Sequence, residues 1–398
     1  FLPDGRHFLY LATGQRPEDN AYRIGVLDST ESELLGPAQT LVTYAPPGYL
    51  LFARDRTLVA QPFDWKSRKT KGEPKPLAEQ IGTDSVGLAR FSVSRDGVLA
   101  YRTGESGSRL LWMNRAGQEL GLEGDAGEIN NPSLSKSGDR LAFSQVDART
   151  GNVDVWIRDL TRGVTSRFTF GAGNEVGPLW SPDGTRVVFS SDGDGNFDLF
   201  EKSASGSGEE KLLLGDDVFK FASDWSKDGR YLVYARQDPK TGWDVWVLPT
   251  FGDRKPIALV QSAFADLNAT LSPDGRYLLY QSNESGRNEI YVQSFPVGAG
   301  KWQVSSAGGV DASWRADGRE IFYRALDQKI MAVAIGGGGE FQAGIPKALF
   351  TGQFRTGTSR NKYVATSDGQ RFLLIAPLGR ESMTPTTIVV NWFAGLDR

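Results

Sequence analysis

The stretch Ala269-Thr-Leu-Ser-Pro-Asp-Gly-Arg-Tyr-Leu-Leu-Tyr-Gln-Ser282, continued by Asn283-Glu-Ser-Gly-Arg-Asn288 and Glu289-Ile-Tyr-Val-Gln-Ser-Phe-Pro296, decides how this chain folds. An apolar segment ends at Leu271, and Ser272-Pro-Asp-Gly275 then reverses the chain. Pro273 presets φ near −65°, Asp274 tolerates the bridge region, and Gly275 accepts positive φ. Tyr277–Tyr280 and Ile290–Gln293, rich in β-branched and aromatic residues, read as the two strands that follow, with Ser282–Asn288 as the loop between them. Lys301–Val304 supplies a fourth strand.

The same turn recurs along the chain. It is found at Leu2–Gly5, Ser94–Gly97, Ser135–Gly138, Ser181–Gly184, Ser226–Gly229, Arg315–Gly318 and Thr366–Gly369. The turn glycines lie 41 to 51 residues apart, except that the first interval is 92. A unit without the Asp-Gly signature fills that gap: Thr40–Tyr44, Gly48–Phe52 and Thr57–Ala60, with turns at Pro46–Gly48 and Arg54–Arg56. Fourth strands recur at Ser166–Thr169, Lys211–Leu214 and Lys255–Leu259. Four antiparallel strands per repeat of about 45 residues, with no helical period, predict an all-β chain built as a β-propeller. Nine units predict one closed ring of nine blades over residues 1–398, or eight if a terminal unit fails to close. Trp180, Trp225 and Trp314 share one position of the repeat, and Trp112, Trp156, Trp246 and Tyr291 share another; rings repeated in this way are expected to pack between blades.

Composition narrows function by exclusion. A net charge of −3 and no block of Lys and Arg argue against nucleic acid as a partner. No run approaches the roughly 20 apolar residues that cross a bilayer as a helix. With no cysteine and a single histidine, His7, the chain offers no thiolate site, and a Ser-His-Asp triad could be built only around His7. No Gly-x-Ser-x-Gly elbow accompanies it, and His7 follows a turn at a strand start, where a structural role is expected. Asp192-Gly-Asp-Gly-Asn196 with Asp198 resembles half a calcium loop, but Phe197 and Ser203 stand where glycine and glutamate belong. It reads as a polar hairpin turn. Ser106 and Ser207, beside glycines, read as flexible turns. No metal, cofactor or catalytic residue is implied.

The links that lead from the last strand of one unit to the first strand of the next converge around a propeller's central channel. Here they carry Asp84, Glu128, Glu175, Asp216, Asp217, Asp266 and Asp311, with amides at Asn130, Asn131, Asn174 and Asn268. One carboxylate per blade predicts an acidic channel mouth that would favour a protein, a peptide or a small cationic ligand.

The units Trp180–Ser191 and Leu271–Ser282 resemble the WD-like (PD40) repeats of TolB-type propellers. End to end, the chain resembles the C-terminal propeller of transmembrane serine/threonine kinases of Acidobacteria, through Phe1–Tyr10, Thr165–Phe170, Arg287–Pro296 and Gly298–Ser305. The resemblance implies a non-catalytic sensor or interaction module on the periplasmic or extracellular side of a bacterial membrane, joined to a kinase domain upstream. Phe1 and Leu2 lie inside the first strand of a blade, too close to the turn for a natural beginning, which predicts a fragment of a longer chain. A TolB-like envelope propeller, or the propeller of a peptidase whose hydrolase domain lies elsewhere, is the alternative.

Overall fold

The computed structural model of the chain describes residues 1–12, 19–82, 89–103, 107–147, 151–193, 195–296, 298, 300–337, 340–355, 361–378 and 386–396. Among these, strands form nine antiparallel sheets and one short 3-10 turn, Trp392–Gly395, follows the last strand. The sheets do not follow the repeat units one for one: Ser108–Asn114 and Glu119–Gly127, which come after the Ser94–Gly97 turn, lie in a sheet with Arg371–Pro377, while Val98–Tyr101 pairs with Thr387–Val390. Contacts gather the chain into two compact units, one holding Phe1–Gly107 with Ala148–Asn152 and Pro377–Arg398, the other Ser108–Asp147 with Val153–Ala376.

The first unit has three sheets. Its segment without the Asp-Gly signature is a sheet as expected, built on Thr43–Ala45, Tyr49–Arg54 and Thr57–Asp64. Its cores centre on Leu50, Phe52 and Ile24, and on Leu51, Leu58 and Leu99. His7 Nδ1 lies 2.5 Å from Asp4 Oδ2 in the opening turn, a local structural pairing.

The second unit has six sheets of four strands. In the first sheet, Ser108–Asn114 and Glu119–Gly127 from the start of the unit join Tyr363–Ala365 and Arg371–Pro377 from its end. The other five are sequential: the second opens with Ile129–Leu134, the third with Glu175–Trp180, the fourth with Lys220–Trp225, the fifth with Asp266–Leu271 and the sixth with Val310–Trp314. Buried side chains fuse neighbouring sheets. Leu110 and Phe143 join the first and second, Phe143's neighbour Ala142 and Phe189 the second and third, Val188 and Tyr234 the third and fourth. Val245 and Tyr280 join the fourth and fifth, Leu279 and Ile321 the fifth and sixth, and Phe322 and Phe372 join the sixth to the first. The repeated rings do what their spacing predicts: Trp180 and Trp225 are buried in these shared cores, with Trp112, Trp156, Trp246 and Trp314 packed against them.

Each opening strand ends in the repeated turn. In the fifth sheet Gly275 has φ of 71° and its N–H donates to Ser272 O at 2.8 Å, while the Ser272 hydroxyl donates to Asp274 at 2.6 Å. The same hydroxyl-to-carboxylate bond, again 2.6 Å, forms at Ser181–Asp183, Ser226–Asp228 and Thr366–Asp368. A bulge breaks the opening strands of the second, third, fifth and sixth sheets, with left-handed residues at Asn131, Gly177, Asn268 and Asp311. Gly, Asn and Asp carry that conformation at least cost, which is why these residue types recur there.

Candidate functional site

The links and the turns lie at opposite ends of the opening strands, because each strand begins at a link and finishes at a turn. At the link end, register places Ile129, Glu175, Lys220 and Asp266 in corresponding positions, opposite Gln145, Ser191, Arg236 and Ser282. Asp311 belongs to a different position, the bulge shared with Asn131, Gly177 and Asn268. The acidic candidates are therefore not one symmetric set, and Lys220 reverses the sign at one member.

Most of these carboxylates are consumed by the fold. Glu175 is buried against Asp154 at the start of a strand of the preceding sheet, and accepts from the Ser191 hydroxyl at 3.2 Å. Burial, and then the charge of Asp154, push Glu175 up to about 8, so the two carboxyls share a proton at neutral pH. Asp266 is buried with the hydroxyl of Ser262 at 2.7 Å, and burial raises its pKa. Asp216 meets Lys220 at 2.7 Å and Arg236 at 3.1 Å, Asp311 meets Arg324 at 3.0 Å, and Glu128 meets Arg355 at 3.4 Å. Asp217 is exposed, and Asp84 lies outside the described residues. Of the amides, Asn174 Nδ2 donates to Asp192 at 2.9 Å, which ties down the loop that resembled a calcium site; Asn131 and Asn268 serve the bulges. Asp194 of that loop and Ser106 lie outside the described residues, and Ser207 hydrogen-bonds Ser205 at 2.7 Å.

The cavity is at the other end. Corresponding residues of all six sheets, from Ser133 of the second to the turn residue Ser367 of the first, line a space of about 470 Å³. Its wall includes Leu179, Trp225, Leu271 and Trp314, with Ser181, Pro182, Ser272 and Pro273 of the turns, and Lys136 and Lys227 are exposed at its rim. Trp180 Nε1 donates to Ser133 O at 3.0 Å, and Arg140 and Arg186 cover the Trp180 and Trp225 rings at 4.5 and 4.8 Å, so the indoles are held rigidly.

Asp224 is the acidic side chain in this wall, and sequence reading passed it over. Its Oδ2 accepts the Leu271 N–H of the next sheet at 2.7 Å. Burial pushes its carboxyl up to about 7, against those backbone hydrogen bonds. The signal was present: Asp224 precedes Trp225 in a column that holds Ser133, Leu179, Thr270 and Ser313 elsewhere. A donor set fit to hold a metal ion, three or more His, Cys, Asp or Glu together, is absent among the described residues.

Comparison with known proteins agrees with the architecture. Residues 91–246 match the PD40 family, described as the TolB beta propeller domain. Over 178 residues the chain is 32% identical to an uncharacterised protein of Agrobacterium fabrum, Atu1656, covering 42% of this chain and 57% of that protein. The chain thus spans little more than half the length of this curated relative. A solved structure assigned to TolB of Agrobacterium tumefaciens superposes with a TM-score of 0.54 at 16% identity, covering 69% of this chain and all of that one. TolB of Acinetobacter baumannii reaches 0.43 at 14% identity, covering 93% and 79%. At 16% identity the Agrobacterium tumefaciens structure speaks to the fold alone.

Proposed function

We propose that this chain is a non-catalytic binding propeller of the TolB type, in which the six-sheet unit forms a closed six-bladed ring that engages a protein partner at its turn end. Closure at six blades, in place of the nine-bladed ring expected from the repeat count, is supported by the core shared between the sixth and first sheets and by the pairing of both ends of the unit in one sheet. The cavity lined by all six sheets is the observation that carries the reading. A concave site whose rigid aromatic walls are interspersed with polar side chains is suited to binding, and the link end, whose carboxylates are mostly buried or ion-paired, offers less free chemistry. The TolB resemblance supports an envelope location, on the periplasmic or extracellular side. The end-to-end likeness to kinase ectodomains supports a receptor kinase as the parent, with the TolB-like envelope protein as the second reading.

The experiment is capture of envelope proteins on the purified chain, mapped by cross-linking, beside assays with ATP and peptide substrates. Capture with cross-links at the turn end and no turnover is expected. Turnover abolished by a point substitution in this chain, or cross-links confined to the link end, would overturn the reading.

A further inference from the structure

The turn-end cavity holds a carboxylate without a counter-ion. Several carboxylates elsewhere in the same unit are matched by cations: Arg167 meets Asp147 and Asp154, Lys220 meets Asp198 and Asp216, and Arg324 meets Asp311, whereas Glu175 and Asp266 are held by the hydroxyls of Ser191 and Ser262 instead. Among the described residues Asp224 forms no ion pair; its bonds run to backbone N–H groups, with that of Leu271 at 2.7 Å. Two polar groups on the same wall do lack partners. Thr270 Oγ1 and Trp314 Nε1 are buried without a hydrogen bond among the described residues. Buried polar groups are ordinarily paired, and a wall that leaves two of them unpaired beside a carboxylate without a counter-ion is incomplete without a guest.

We infer that this cavity takes a single primary ammonium group on an apolar stem, with the nitrogen seated on Asp224 and the stem along Trp225, Leu271 and Trp314. The inference rests on the binding reading above and gives that site its ligand chemistry. Three observations choose the ammonium group over other cations. A guanidinium binds best with both carboxylate oxygens in a planar fork, and Oδ2 of Asp224 is already committed to Leu271. A divalent ion would find one carboxylate and no cluster of further ligands among the described residues. A polyamine would bring extra charge past Lys136 and Lys227 at the rim, which favour a guest whose positive charge is confined to its inner end. An ammonium is a compact charge with three donors, so one N–H can face Asp224 and another the Thr270 hydroxyl, while a neighbouring carbonyl or hydroxyl of the guest can accept from the Trp314 indole.

Two sources carry this group: a lysine side chain of a bound protein, or a free alkylamine. Calorimetry on the whole chain separates them, with Nα-acetyl-lysine methylamide and n-hexylamine as probes and Nα-acetyl-norleucine methylamide as the neutral control. Both ammonium probes stay charged from pH 6 to 8. Because the carboxyl must be ionised to bind, affinity at pH 6 is expected to be about tenfold lower than at pH 8, following the ionised fraction of a group that titrates near 7. The tighter of the two probes identifies the source. Asp224→Asn keeps an oxygen for the Leu271 N–H and is expected to lose binding with its fold intact; if it does not fold, the pH ratio in the unaltered chain decides. Equal affinity at both pH values, binding of the norleucine control as tight as that of lysine, retained binding in a folded D224N, or no binding at all would each overturn the assignment. Envelope capture at the turn end that persists without ammonium binding would overturn this assignment alone, whereas loss of both would overturn the binding reading with it.

Discussion

The ammonium of Lys220, fully buried at the start of the fourth sheet's opening strand, lies 2.7 Å from Asp198 of the preceding sheet and 2.7 Å from Asp216 of the link before it. A charge taken so far from water is tolerated because two carboxylates and the Val218 carbonyl surround it. Lys220→Met fills similar space but leaves Asp198 without its cation, while Asp216 keeps Arg236. Urea unfolding is expected to show a loss of about 3 kcal/mol, because removing one partner of a buried pair leaves the other largely desolvated and uncompensated. The double variant K220M/D198N is expected to recover part of that loss, and a single variant as stable as the parent would refute the account.

Glu175 occupies the corresponding position one sheet earlier, and its behaviour with pH is opposite to that of an exposed carboxylate. Its folded pKa, about 8, lies above the ordinary 4.5, so the folded chain holds the proton more tightly than the unfolded one. The stability this adds is full below about 4.5 and is lost as pH rises to about 8. Glu175→Gln needs no proton to stay neutral, so it is expected to flatten the stability profile between pH 5 and 8 and to be more stable than the parent by roughly 1–2 kcal/mol at pH 8. Denaturant midpoints at four pH values check this, and a parent profile without slope would count against a shared proton.

Asp311 should respond with the opposite sign. Asparagine tolerates its φ of 55°, so Asp311→Asn leaves the backbone at ease and removes only the charge facing Arg324 at 3.0 Å. A loss of about 1–3 kcal/mol at pH 7 is expected. Opposite signs for E175Q and D311N would confirm that these two acids do not belong to one repulsive ring; a gain in both would restore that ring.

The turn glycines separate backbone strain from crowding. A Cβ on Gly275 meets nothing within 4 Å, so Gly275→Ala pays only for positive φ, about 1 kcal/mol. On Gly369 the added carbon would stand 2.7 Å from the Phe322 ring, in the core between the sixth and first sheets. Gly369→Ala is therefore expected to cost about 1–3 kcal/mol more than Gly275→Ala, as overpacking does. Thermal melts of the two variants give the comparison, and equal shifts would show that the turn, and not the core, sets the cost.

The amino-acid sequence by itself determined the local architecture. Turn chemistry such as Ser272–Gly275 acts over four residues, and the alternation around Tyr277–Tyr280 acts over the next few, so both are written in neighbouring letters. The repeated tryptophans announced their packing for the same reason: a position that recurs in every unit meets the same surroundings in every unit. What tertiary structure alone decided is how the nine sheets divide, since Phe322 and Phe372 share a core although the chain between them carries no mark of it. It also decided which acids are free. The sign and solvation of a carboxylate depend on what the adjoining sheet brings to it, and an Arg324 beside Asp311 or an Asp154 beside Glu175 is invisible from the link alone. Asp224 was overlooked at the turn end because one acid in a column of Ser, Leu and Thr looks like variation until the six sheets bring that column around a single cavity. There its charge has nowhere to go, and desolvation, a property of the assembled wall and not of the residue, turns an ordinary aspartate into the most informative side chain in the molecule.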